Sequence, residues 1–143
     1  GMDNLEAYES TLFEYALCNI SKIPDIQLYC DNDLRDRVGI IPFNINGLPH
    51  QIVANALSAE SGIAVRNGCF CSQPYVQKLM NVSRNDIRKR IKNPSLSHPG
   101  MIRLSFGLYN NYDEIDVLLQ KLYEISDNKE RYLDARYQIP DTR

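Results

Sequence analysis

Several things are scarce in this chain of 143 residues, and each scarcity removes a class of function. No apolar run comes near the roughly 20 residues that a membrane-spanning helix needs, and no signal peptide precedes the first predicted helix. Histidine occurs only as His50 and His98, and the cysteines (Cys18, Cys30, Cys69, Cys71) include no Cys-x-x-Cys pair. A structural zinc centre draws its ligands from closely spaced cysteines and histidines, so no metal site is expected. Cys69 and Cys71 form a Cys-x-Cys pair, but the second pair that would complete a soft-metal site is missing. Excess positive charge is also absent: 16 Lys and Arg against 18 Asp and Glu leave a net charge of -2. That balance argues against a whole-molecule nucleic-acid binder. There is no internal repeat and no low-complexity segment. Free thiols without an export signal point to a reducing, cytoplasmic setting.

What remains is an ordinary globular composition, 43% hydrophobic and 24% charged. A chain of this length is expected to form one domain that buries roughly two-thirds of its unfolded surface. From Asp3 to about Ser21 the stripe Leu5, Tyr8, Leu12, Ala16 and Ile20 predicts an amphipathic helix, with Asp3 and Glu6 at capping-box spacing. Ile26 to Cys30 and Val38 to Ile45 are predicted strands, separated by a charged turn; Pro42 suggests an edge position or a bulge for the second. Pro49 opens a helix that buries Ile52, Val53, Ala56 and Leu57 and stops at Gly62. Ser83 to about Ile91 reads as a basic helix, which is expected to be a solvated cationic face. In the strand Met101 to Leu108, Ile102, Leu104, Phe106 and Leu108 share one face and Arg103 lies on the other. Asn111 and Glu114 predict a capping box for a helix carrying Ile115, Leu118, Leu119, Leu122 and Ile125. These elements predict an α+β fold, a small and mostly antiparallel sheet packed with helices, over residues 3–126. Residues 127–143 read as a polar tail or helix extension, with Tyr132 and Tyr137 as possible anchors.

The stretch Ala64-Val65-Arg66-Asn67-Gly68-Cys69-Phe70-Cys71-Ser72-Gln73-Pro74 gathers the chemistry. Gly62 to Val65 reads as a brief strand, followed by an arginine, a glycine turn with displayed cysteine sulfur, and a proline that can open the next helix. A thiolate is the nucleophilic form of cysteine, and a neighbouring arginine favours it. A planar guanidinium is the side chain best suited to hold a carboxylate through two parallel hydrogen bonds. Read from residue type alone, Cys71 can equally be an inert buried thiol, Arg103 a salt-bridge partner, and Arg66 a solvated side chain.

The run from Gly62 to Pro74 resembles the active-site loop of class V PLP-dependent aminotransferases and cysteine desulfurases. Met101-Ile102-Arg103-Leu104-Ser105-Phe106-Gly107-Leu108-Tyr109-Asn110, followed by Glu114-Ile115-Asp116, resembles the same family, and the order of elements is similar to that of its C-terminal small domain. The resemblance implies that Cys71 stands where the desulfurase nucleophile stands, the thiol that takes sulfur from a cysteine substrate and leaves alanine and a protein persulfide. It implies that Arg103 pairs with the substrate carboxylate and that Arg66 lies near the substrate end of the site. Desulfurases often carry histidine where this chain has Cys69 and Phe70, a departure that leaves other class V chemistry open.

The family's PLP lysine, pyridine-nitrogen partner and phosphate cradle come from a large domain that precedes this one. Here none of the six lysines follows a histidine, and no glycine-rich loop precedes a helix. The expectation is therefore a C-terminal domain that is not catalytic alone and meets PLP only when a large-domain chain supplies it in trans. A non-enzymatic remnant, an interaction module or a sulfur carrier is the alternative. The face left bare by a missing large domain is expected to drive self-association into dimers or higher oligomers.

Overall fold

The computed structural model describes residues 1–29, 38–93, 96 and 98–134. The predicted turn from Asp31 to Arg37, Cys30 and Tyr137 lie outside the described residues. The elements run α1 (Met2–Ile20), β1 (Ile26–Leu28), β2 (Ile40–Ile45), α2 (His50–Ser61), β3 (Arg66–Gly68), α3 (Gln73–Leu79), α4 (Arg84–Lys92), β4 (Met101–Ser105), α5 (Tyr112–Asp127) and α6 (Lys129–Leu133). The four strands form one antiparallel sheet in the order β1-β2-β4-β3, so the α+β prediction holds.

Alternation along the strands sorts the sheet into two faces. Ile41, Phe43 and Ile45 of β2 and Ile102 and Leu104 of β4 are buried on the inner face, where the apolar sides of α1, α2 and α5 meet them. Leu12, Phe13, Ala16 and Ile20 come from α1, Ile52, Val53, Ala56 and Leu57 from α2, and Ile115, Leu118, Leu122 and Ile125 from α5. The outer face carries Pro42 opposite Arg103, and Arg66 opposite Arg103 on the other side.

Pro42 contradicts the expectation of an edge strand or bulge, because β2 has β1 on one side and β4 on the other. The register explains how an interior strand accepts it. Pro42 and Arg103 form a pair that exchanges no backbone hydrogen bonds, as shown by the bond from the Phe106 N–H to the carbonyl of Gly39, three residues before Pro42 and just ahead of β2. The nitrogen of Pro42 therefore points toward β1. There the Tyr29 N–H donates to the Pro42 carbonyl at 3.0 Å and the strand ends at Leu28, so the missing N–H falls where the ladder stops.

Helix ends follow local chemistry in part. Asn111 and Glu114 form the full capping box, and Gly62 closes α2 in the left-handed region at φ 65. Asp3 and Glu6 form no such box: α1 begins at Met2, which places Asp3 inside the first turn with no capping bond. Its first turns are also less buried than the stripe predicts, with Leu5 and Tyr8 each 37% exposed. Leu108, expected on the apolar face of β4, is 54% exposed because the strand ends at Ser105 and the chain turns from Gly107 to Asn110.

The core continues past residue 126. Tyr132 of α6 is fully buried, and its hydroxyl lies within donating distance of Glu60 (3.0 Å) and Glu124 (3.2 Å). Lys121, itself buried, donates to Glu124 at 2.8 Å and pairs with Glu60, while Arg131 reaches both carboxylates. Burial, followed by the bond to Glu60, pushes the Tyr132 hydroxyl up to about 12. Two cations and two carboxylates thus close around one phenol, clasping α6 to α2 and α5.

Candidate active site

The site begins with a shift along the chain. Gly62 to Val65 is not a strand; the sheet pairing falls instead on Arg66, Asn67 and Gly68. Ile63 and Val65 are partly buried against the core as irregular chain, which accounts for their apolar character. Pairing of β3 with β4 places Arg66 directly across from Arg103, so both side chains project from the outer face as neighbours. Asn67, next to Arg66 in sequence, points to the inner face toward α2.

There it meets His50, at the start of α2, which sequence reasoning did not single out. Its Nδ1 lies 3.0 Å from the Asn67 side-chain oxygen and its Nε2 lies 3.2 Å from the His98 carbonyl. Burial lowers the pKa of this ring, and the neutral ring has one N–H to share between the two oxygens. His50 therefore ties β3 to the segment entering β4. Gly100 makes the same junction possible by close approach: a Cβ there would lie 2.5 Å from His50 Nε2 and 2.8 Å from Gly68 Cα. Gly100→Ala is expected to cost about 1–3 kcal/mol, the range for overpacking a tight site. Thermal unfolding would read the loss, and shifts of the Asn67 and Gly68 amide resonances would show that β3 has been pushed off β4.

Cys69 belongs to this junction. Half-buried, it donates its thiol to the Pro99 carbonyl at 3.1 Å, and burial raises its pKa. A protonated thiol that donates is a tether, which gives Cys69 a structural role that the sequence left without explanation.

Beyond Cys69 the chain makes a tight turn closed by the Ser72 N–H donating to the Cys69 carbonyl at 2.8 Å. Its two central residues, Phe70 and Cys71, both have positive φ, 52 and 59. That pattern belongs to type I′ turns, which asparagine and glycine normally occupy. Left-handed backbone costs a residue with a side chain roughly 1–2 kcal/mol. Cys71 is exposed at the tip, which removes the inert buried-thiol alternative. The Phe70 ring lies over Arg103, with its centroid 5.3 Å from the guanidinium carbon. Arg103 is half-buried and its Nε has no hydrogen-bond partner. Among the described residues neither Arg103 nor exposed Arg66 makes an ion pair, so the salt-bridge alternative for Arg103 is not realised. The three sequence-derived residues thus gather on and beside the outer face of β3 and β4, and Phe70 joins them. Its aromatic ring was visible in the sequence, but nothing there indicated that it would fold back over Arg103.

The family model for aminotransferase class-V matches residues 1–118. The chain belongs to the class V aminotransferase family. Among curated class V relatives, a cysteine desulfurase of Escherichia coli O8 (strain IAI1) is 33% identical over 125 residues, and one of Cronobacter sakazakii (strain ATCC BAA-894) is 31% identical over the same length. Each match covers 87% of this chain and 26% of the relative, so the chain spans about a quarter of the length of these proteins. Among solved structures, the apo cysteine desulfurase of Thermococcus onnurineus NA1 superposes with a TM-score of 0.71 at 25% identity, covering 89% of this chain and 27% of that one. A cysteine desulfurase of Escherichia coli shares the fold at a TM-score of 0.61. Among the described residues no helix is long and apolar enough to cross a membrane, and no group of three or more His, Cys, Asp or Glu could hold a metal ion.

Proposed function

We propose that this chain is the C-terminal small domain of a class V PLP-dependent enzyme of the cysteine desulfurase kind. In this reading it contributes a carboxylate clamp and a thiol to an active site whose other parts lie on a larger domain. One observation carries it: Arg66 and Arg103 face each other across β3 and β4 beside the turn that displays Cys71. Like charges directly opposite in a sheet destabilise it, by up to about 1 kcal/mol. A bound carboxylate would convert that repulsion into attraction on both sides. Arg103 serves as the anchor, since its guanidinium is held in place, and the exposed Arg66 as the second contact. Cys71 is the candidate nucleophile, placed to take a substrate sulfur as a persulfide.

PLP supplies the electron sink in reactions of this class. The described residues do not fit that group. Lys121 and Lys129 are engaged with carboxylates, and Lys22, Lys78, Lys89 and Lys92 stand on or beside α1, α3 and α4. None stands on the sheet or on the Cys69–Ser72 turn, and the outer-face positions paired around Arg103 carry no carboxylate. PLP is therefore assigned to the larger domain that completes the site. Tyr75, Ile91, Leu108 and Tyr109, 54–85% exposed, lie on the segments that flank the turn and β4. They suit a surface that such a partner, or a second copy of this chain, would cover.

The test is complementation. Mixed with a candidate large-domain chain, PLP, L-cysteine and a thiol reductant that returns the persulfide to thiol and sulfide, this chain is expected to restore sulfide and alanine release, with nothing released by either chain alone. Cys71→Ser is expected to lower sulfide release by at least about 10²-fold. Release that is indifferent to Cys71→Ser would remove sulfur transfer and leave other class V chemistry. Sulfide release by this chain alone with PLP would refute the need for a large domain.

A further inference from the structure

Phe70 occupies an unusual place. It is one of two adjacent residues with side chains held in left-handed backbone, and its ring rests on an arginine that has no carboxylate partner. Strained backbone persists only where surrounding contacts determine it. Three such contacts hold this turn: the Ser72 N–H to Cys69 carbonyl bond, the Cys69 thiol to Pro99 carbonyl bond, and the Phe70 ring on Arg103. The first two fix where the turn begins and closes. Among the hydrogen bonds and ring contacts of the described residues, only the third reaches its central pair, where Cys71 sits.

We propose that Phe70 is a positioning residue that couples Arg103 to Cys71, holding the guanidinium against its ring and thereby fixing the turn from which the thiol projects. The geometry suits both tasks. Cation–π attraction holds the guanidinium against the ring without using a hydrogen-bond acceptor, so the arginine keeps its N–H donors for a carboxylate. The arginine is thus held near one position before a ligand arrives, which reduces the ordering that binding demands. Because Phe70 and Cys71 are consecutive in one turn, the contact that orients the arginine also restrains the thiol. Loosening either partner loosens the other. The functional weight of this coupling rests on the carboxylate-clamp and nucleophile roles proposed for Arg103 and Cys71, but the coupling itself is a property of the folded chain and is tested without cofactor or partner.

The experiment is amide exchange and ¹⁵N relaxation on the full chain, in the unmodified protein and in Phe70→Leu, Phe70→Tyr, Arg103→Met and the Phe70→Leu/Arg103→Met double variant. Exchange of the Ser72 amide, whose hydrogen bond closes the turn, is expected to accelerate about fivefold in Phe70→Leu and in Arg103→Met, the loss corresponding to one cation–π contact. In the double variant it is expected to be no faster than in either single one, because both remove the same contact. Phe70→Tyr, which keeps the aromatic face, is expected to stay within about twofold of the unmodified protein. The order parameter of the Cys71 amide should fall below about 0.6 in the Leu and Met variants and stay above it in the Tyr variant. Exchange at Leu122 in α5 reports whether the whole domain has been weakened, and it should be unchanged. Unaltered Ser72 exchange in either single variant would overturn the proposal. So would multiplicative effects in the double variant, or failure of tyrosine to rescue. None of these outcomes bears on complementation, and a failed complementation leaves these measurements standing, so the two ideas fall separately.

Discussion

Arg103→Ala is expected to lower kcat/KM of the enzyme assembled with a large-domain chain by about 10²–10⁴-fold, chiefly through KM, while leaving the fold intact. The magnitude follows from the chemistry of the missing group: two charge-assisted hydrogen bonds to a carboxylate, at about 1.5–3 kcal/mol each, correspond to that range. The structural side of the prediction is more specific. An arginine engaged in a native salt bridge would leave a stranded partner when removed, but Arg103 has no ion pair among the described residues and its Nε is unpaired. Its removal also relieves the repulsion with Arg66 across the strands. Against that relief stands the favourable cation–π contact between the Phe70 ring and the guanidinium, which the substitution abolishes. Stability of the isolated chain should therefore change by less than about 1 kcal/mol by denaturant titration. Arg103→Lys retains the charge without the fork and should recover only part of the activity. A large stability loss in Arg103→Ala, with activity retained in the surviving folded fraction, would show that the arginine is structural.

Tyr132→Ala is expected to destabilise the chain by about 3–5 kcal/mol, the cost of truncating a buried aromatic residue. Against the roughly 5–15 kcal/mol total of a typical domain, that is a large share. The phenol fills the inner end of the clasp built from Glu60, Lys121, Glu124 and Arg131. Without it, buried Lys121 and its two carboxylates lose the ring and hydroxyl that exclude water from them. A chain truncated after Asp127 should lose a similar amount, since α6 enters the core mainly through this residue. Unfolding free energies of the two variants should therefore agree within about 1 kcal/mol by denaturant titration. A truncated chain as stable as the full one would show that α6 is dispensable to the core.

Much of the fold was legible because its local rules agree with one another. The Asn111–Glu114 box, the Gly62 stop and the α5 stripe each follow from short-range chemistry, and each is present. Misreadings arose where a distant partner decided. Apolar content between Gly62 and Val65 looked like a strand, yet β4 pairs with the polar triplet after it, because only there does Asn67 reach His50. Pro42 was read by a rule about missing donors, and register made the missing donor harmless. Tyr132 was legible as an anchor on a helix extension, but its clasp was not, because Glu60, which receives the hydroxyl, lies 72 residues away in sequence. At the site, residue types identified Arg66, Cys71 and Arg103, but their assembly on one face depends on strand register, and the place of Phe70 depends on a turn whose sequence is atypical for its backbone.

The strand order has a consequence for how the molecule comes into being. Among the described residues β4 is the last strand, and it lies in the middle of the sheet, between β2 and β3, both of which precede it. Until β4 arrives, β3 has no strand to pair with and β2 has only the short β1. Pairings that join distant parts of a chain close a long loop before they return any stability, and they are slow for that reason. The two arginines and the thiol turn should therefore form together in one late event, the insertion of β4. A nascent chain released before Met101 would carry Arg66 and the Cys71 turn but not the strand that pairs β3 and supplies Arg103.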